Sequence, residues 1–78
     1  MARISEVKAA LGLTVVKYGK YVTVFRSKTT GEYSIWRTIR GHAVDEIDVT
    51  PDRREALDIL AWHERHGGQD SEWNWLYD

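Results

Sequence analysis

Two histidines near the end of the chain, His63 and His66, are the first candidates for metal chemistry. Their spacing places both imidazoles on one side of a helix. Catalytic zinc needs three protein ligands and structural zinc needs four, while the metalloprotease motif needs histidines four residues apart with a glutamate between them. The pair meets none of these requirements, so we predict no metal site and no cofactor.

A run of carboxylates, Asp45, Glu46 and Asp48 followed by Asp52, is the second candidate, because hard cations gather carboxylate oxygens. A calcium loop also needs a glycine at its sixth position and a glutamate at its twelfth. Neither residue is present from any of these starting points. The spacing therefore favours an acidic surface exposed to water over a cation site.

Sequence motifs for catalysis are missing as well. The chain contains no nucleophile elbow, phosphate loop or dinucleotide-binding pattern. His42, close to Arg40 and near the start of a predicted strand, is the single candidate that we retain for a nuclease. We predict that the protein is not an enzyme.

The length and composition predict one folded domain, residues 1–78. Of 78 residues, 42% are hydrophobic and 29% are charged, which is the composition of a soluble domain and not of a disordered chain. The absence of cysteine excludes disulfides and thiolate metal sites and favours a cytoplasmic protein. No apolar run is long enough to span a bilayer, so we expect no membrane partner.

The net charge of -1 hides a separation of charge along the chain. Residues 1–40 carry eight basic and two acidic residues, or +6, whereas residues 41–78 carry three basic and ten acidic residues, or -7. Such asymmetry indicates partners that are steered electrostatically, or two halves that pair with each other inside a small fold.

The elements that must position these residues follow from periodicity and turn chemistry. Helical spacing predicts a first helix over residues 3–11 that ends at Gly12, and Thr50-Pro51-Asp52 predicts the start of a second helix that ends at residue 66. Between them, β-branched and aromatic residues predict strands at Leu13 to Tyr18, Tyr21 to Arg26, Glu32 to Ile39 and His42 to Val49. The tail, Glu72 to Asp78, has the alternation of a possible last strand. The fold class is α+β, with an antiparallel meander of three to four strands.

This order of elements resembles that of the double-stranded-RNA-binding domain and of the small toxin ribonucleases that share its topology. Those toxins carry a catalytic histidine on a strand, but residues 17–26 contain none. The RNA-binding domain depends on a lysine-rich start to its last helix, where this chain has Pro51-Asp52-Arg53-Arg54-Glu55. The resemblance covers element order alone, so neither activity is transferred to this protein.

Aromatic residues suggest how the protein binds a partner. Alternation along the strands predicts that Tyr21, Phe25 and Trp36 lie on the sheet face opposite the helices. An exposed surface of this kind is typical of an interface, because Trp and Tyr dominate binding hot spots. The same side chains could instead fill the core of so small a domain or form a homodimer interface.

We therefore expect a non-enzymatic protein-binding module that docks onto a larger protein or nucleoprotein complex. Its composition is typical of small phage-type inhibitors of host machinery, including anti-CRISPR proteins. The residues predicted to bind the partner are acidic or aromatic: Trp36, Asp45, Glu46, Asp48, Trp73, Trp75 and Tyr77.

The alternative is nucleic-acid binding through the basic half of the chain. Cations would contact phosphates and aromatic rings would stack on bases. The residues predicted for this role are Lys17, Lys20, Tyr21, Phe25, Arg26, Lys28, Arg37 and Arg40. The pI of about 6.3 is lower than that of most nucleic-acid-binding domains.

Overall fold

The computed structural model describes residues 2–66 of the chain. They form seven elements: β1 (Ala2–Arg3), α1 (Ile4–Leu11), β2 (Leu13–Tyr18), β3 (Val22–Ser27), β4 (Tyr33–Ile39), β5 (His42–Thr50) and α2 (Arg53–His66). The predicted α+β class and the two helices are confirmed, and the four longer strands begin and end within one residue of their predicted limits. The last strand predicted in the tail lies outside the described residues.

The strands form one antiparallel sheet in the order β1-β5-β4-β3-β2. Strands β2 to β5 follow each other as hairpins, which confirms the meander. The prediction of three to four strands is corrected by β1, whose Ala2 and Arg3 pair with Ala43 and His42. A strand of two residues has no measurable alternation, so only its tertiary pairing reveals it.

The first helix has termini that its sequence specifies. Backbone N–H of Arg3 donates to the Glu6 carboxylate at 3.4 Å, which satisfies one of the donors that a helix start leaves unpaired. Gly12 ends the helix in the left-handed conformation, with φ 63° and ψ 48°, and its N–H donates to the carbonyl of Lys8. The predicted glycine cap is therefore confirmed.

Replacing Gly12 by alanine should lower the free energy of unfolding by about 1 kcal/mol, because a Cβ disfavours left-handed backbone. Space is not the cause, since a Cβ at Gly12 would meet no atom within 4 Å. Urea unfolding measures the change, and Gly12→Asn is the matched variant because asparagine tolerates this conformation better. Equal losses for both variants would contradict the conformational explanation.

The second helix begins two residues later than predicted. Asp52, not Thr50, caps it: the Asp52 carboxylate accepts the backbone N–H of Arg54 at 2.9 Å. Thr50 is buried and accepts the N–H of Asp52 at 3.2 Å, which fixes the turn before the helix. The sequence predicts that these residues cap a helix. Which of them caps it and which stabilises the preceding turn depends on the path of the chain out of β5.

The sheet buries a core on each of its faces. On one face α2 packs against β3, β4 and β5. The fully buried residues of this core are Val22, Val24, Ile35 and Ala56, joined by Leu60 at 4% exposure. Strand alternation predicts that Val22, Val24 and Ile35 meet a helix, and the structure confirms this.

On the other face α1 contacts β2 near one edge of the sheet and β1 and β5 near the opposite edge. One short helix can reach both edges because the sheet curls around it. Its core contains Val7, Leu13, Phe25 and Ala43, with Trp36 packed against them.

This second core corrects the prediction of an open aromatic face. Phe25 is fully buried, and Trp36 is half-buried with its ring edge-to-face on that of Phe25 at 6.4 Å. Tyr21 packs into the core on the α2 side. The prediction failed because it placed both helices on one face, whereas the two helices cover opposite faces. Within residues 2–66, neither helix is long and apolar enough to cross a membrane.

Candidate interaction surfaces

The outer side of α2 carries an exposed tryptophan. Ala56 and Leu60 turn towards the sheet, and helical geometry places Glu55, Asp58 and Trp62 together on the side facing away from them. All three are exposed, Trp62 by 54%. We call these three residues the α2 stripe: two carboxylates followed by a large aromatic ring.

The Trp62 ring is held by two neighbouring imidazoles. Its centroid lies 4.7 Å from that of His66 and 5.0 Å from that of His63. The latter pair is edge-to-face, an arrangement that aromatic rings favour. The histidine pair considered for metal binding therefore supports Trp62. Among the described residues, no three His, Asp or Glu side chains are grouped so that they could hold a metal ion.

The three predicted acidic residues of β5 have different roles. Asp45 forms a bidentate ion pair with Arg37 on β4, and Arg37 Nε donates to its carboxylate at 2.6 Å. Asp48 is exposed, and its carboxylate accepts the backbone N–H of the next residue, Val49, at 2.8 Å. Glu46 is exposed. Glu46 and Asp48 thus present negative charge to solvent, whereas the charge of Asp45 is partly neutralised by Arg37.

Of the aromatic residues predicted to bind the partner, only Trp36 lies within the described residues. Trp36 contributes to the α1-side core, and its indole Nε1 donates to Ser34 Oγ at 3.3 Å. Its half-buried ring leaves only part of its surface for a partner. Trp73, Trp75 and Tyr77 lie outside the described residues.

The basic residues are spread over one hairpin and one turn. Lys17, Lys20, Arg26 and Lys28 are exposed on or beside β2 and β3, and Arg40 is exposed in the turn before β5. Arg37 is half-buried in its pair with Asp45. Of the aromatic rings predicted to stack on bases, Phe25 is excluded because no part of it is exposed.

A carboxylate from α2 secures the turn of this hairpin. Glu64 accepts the backbone N–H groups of both Lys20 and Tyr21, the latter at 2.7 Å. The approach needs glycine at position 19, where an added Cβ would lie 2.7 Å from Glu64 Oε1 and 2.5 Å from the Val22 carbonyl oxygen. We call this contact the Glu64 clamp. It joins the C-terminal half of α2 to the turn between β2 and β3.

His42, the candidate retained for nuclease chemistry, is half-buried at the start of β5. Its Nδ1 lies 3.2 Å from the carbonyl oxygen of Arg40, and it pairs with Arg3 of β1. These contacts give His42 a structural position at the junction of two strands.

Two exposed aromatic residues were missed by sequence reasoning. Trp62 lies in the predicted second helix. At ~100° per residue it stands 200° around that helix from the buried Leu60, and so on its outer side. Tyr18, 63% exposed, is the last residue of β2 and was assigned only to a strand. The helical step identifies Trp62 from sequence, whereas the exposure of Tyr18 depends on β2 being an edge strand.

Comparison with known proteins found no matching family model, no similar curated protein and no similar solved structure.

Proposed function

We propose that this protein is a non-enzymatic protein-binding module that engages its partner through the α2 stripe, with additional negative charge from the exposed β5 residues Glu46 and Asp48. The exposure of Trp62 carries this proposal. Tryptophan is among the residues most often found at interface hot spots. A partner that covers the exposed part of this ring would bury apolar surface, which contributes favourable binding free energy.

The contacts that restrain the Trp62 ring also support the proposal. Because His63 and His66 contact the Trp62 ring, the side chain is already restrained before binding. Restraint of this kind lowers the entropy that is lost when an interface forms. Trp62 therefore fits the role of an anchor residue.

The exposed acidic residues favour a partner of opposite charge. Glu46, Asp48, Glu55 and Asp58 are all exposed, on a strand and on the helix that follows it. Their negative charge favours a basic partner, although Arg54 and Arg65 are also exposed on α2, and these charges act mainly on the rate and specificity of association. A protein surface that itself binds nucleic acid has this chemistry, which accords with a phage-type inhibitor of host machinery as the narrower proposal.

The test is a quantitative pull-down from nuclease-treated bacterial lysate with the wild-type protein and three variants. Trp62→Ala should reduce recovery of the specific partner by at least tenfold, since hot-spot truncations cost ~2 kcal/mol or more. The double variant Glu46→Lys/Asp48→Lys should reduce recovery of the partner, and more so in a low-salt than in a high-salt wash, because these charges act through electrostatic attraction. Asp45 is left unchanged because reversing it would break the Arg37 ion pair.

Leu11→Ala is the matched control, because Leu11 is 53% exposed, like Trp62, but lies on α1. Its recovery of partner should equal that of the wild type. Thermal unfolding of all variants checks that they remain folded. Equal recovery by the Trp62 variant and the wild type would refute the proposed surface.

A further inference from the structure

We infer that the open side of β2 is a second binding site, whose ligand is single-stranded nucleic acid. The site consists of Lys17, Tyr18, Arg26 and Lys28, on the hairpin of β2 and β3. It is separate from the α2 stripe and does not depend on the function proposed above.

Two of the three cations of this site share one face of the sheet. Lys17 pairs with Val24, and Arg26 stands two residues further along β3, so both lie on the face of the buried Val24. Lys28 extends this basic row beyond the strand: it directly follows β3, and its backbone N–H donates to the carbonyl of Gly12. Neighbours in such a row are about 7–8 Å apart, a distance over which flexible side chains can follow a phosphate backbone.

All three cations are exposed, and within residues 2–66 none of them forms an ion pair. Helix α2 packs over β3, β4 and β5 and leaves β2 at the border of the sheet. Nothing in the described part of the chain pairs with the outer side of β2. Within residues 2–66, the outer backbone edge of β2 is therefore open to an extended ligand.

Tyr18 supplies the aromatic surface that a basic row alone lacks. It pairs with Thr23, which places it on the opposite face from Lys17 but on the same edge strand. A ligand that runs along an edge meets side chains from both faces. With 63% of the residue exposed, the ring is available to stack on a base, whereas Phe25 is not.

The charge distribution favours this ligand more than the whole-chain pI indicates. Residues 2–66 contain eleven basic and nine acidic residues, a charge of +2, and the last twelve residues contain three acidic and no basic residues. Residues 13–28 contain four basic residues and no acidic one. The β2–β3 hairpin is therefore a basic region on a weakly basic domain.

The experiment measures fluorescence anisotropy of a labelled oligothymidylate of about 12 nucleotides, titrated with the full-length protein between about 50 and 200 mM salt. Arg26→Ala and Lys17→Ala should each weaken binding and reduce the slope of log affinity against log salt by about 0.7, the value for one lost single-strand phosphate contact. Tyr18→Ala should weaken binding about 5- to 150-fold with the slope unchanged, and Tyr18→Phe should bind like the wild type.

Arg54→Ala is the control of equal charge, since Arg54 is exposed at the start of α2. It should leave both affinity and slope close to those of the wild type. Absence of binding at the lowest salt would overturn the inference. So would equal effects of Arg26→Ala and Arg54→Ala, which would show attraction to the overall charge and not to this strand.

Discussion

Replacing Phe25 by alanine should lower the free energy of unfolding by about 3–5 kcal/mol, enough to leave the chain largely unfolded at 25 °C. Phe25 is fully buried between the sheet and α1, among Val7, Leu13 and Ala43, and its ring supports that of Trp36. Truncation would therefore leave a cavity that a short helix cannot collapse to fill. A domain of this size has little stability in excess of that loss.

Circular dichroism during urea unfolding measures this effect. Phe25→Leu keeps most of the buried volume and should retain a cooperative transition. Leu11→Ala removes an exposed side chain of similar size and should change stability by less than about 0.5 kcal/mol. If Phe25→Ala unfolded at the same urea concentration as the wild type, α1 would not cover this face of the sheet.

Breaking the Glu64 clamp should have the second largest effect. Glu64→Ala removes a carboxylate that accepts two backbone N–H groups, from Lys20 and Tyr21. A hydrogen bond to a charged group contributes ~1.5–3 kcal/mol, but the exposed Lys20 N–H can bind water instead. We therefore expect a loss of about 2 kcal/mol and a decrease in Tm of about 10 °C.

Glu64→Gln should have a smaller effect, because its amide oxygen can still accept a hydrogen bond. Glu55→Ala is the matched control on the same helix, since Glu55 is exposed and makes no hydrogen bond among the described residues. Differential scanning calorimetry compares the variants. Equal Tm values for the Glu64→Ala and Glu55→Ala variants would show that the clamp contributes nothing to stability.

Gly19→Ala tests the same contact from the opposite side. Its Cβ would approach the Val22 carbonyl oxygen and the Glu64 carboxylate closer than real Cβ atoms do, so one of them must move. We expect a loss of about 1–3 kcal/mol. The double variant Gly19→Ala/Glu64→Ala should lose less stability than the sum of the two single-variant losses, because Glu64 is one of the two groups that the methyl displaces. Full additivity would mean that only the Val22 backbone resists the methyl.

Local features of this protein could be predicted from its sequence. The glycine at position 12 ends α1 because the left-handed conformation there is nearly cost-free for glycine alone. The alternation of Val22, Val24 and Ile35 identified the face that α2 covers, since side chains of a strand alternate between faces. Both signals act over a few residues, so neighbouring sequence is sufficient to read them.

The placement of the interaction surfaces needed tertiary structure. Whether Phe25 and Trp36 face solvent or a core depended on which side of the sheet received α1, and α1 packs on the side of Phe25 and Ala43. The exposure of Glu46 and the ion pair of Asp45 with Arg37 likewise depended on the register between β4 and β5. The contact of α1 with Phe25 joins residues far apart in the chain, and the β4–β5 register contains two irregularities that alternation does not reveal.

The sequence by itself therefore determined the two helices, the four longer strands, their order and the residue types available for binding. The tertiary structure decided which of them are exposed: Trp62 and Tyr18 are, whereas Phe25 is not. The physical reason is that propensity, capping and alternation are local properties of the chain. Exposure depends instead on which elements pack together, and that is settled by burial of apolar surface across the whole domain.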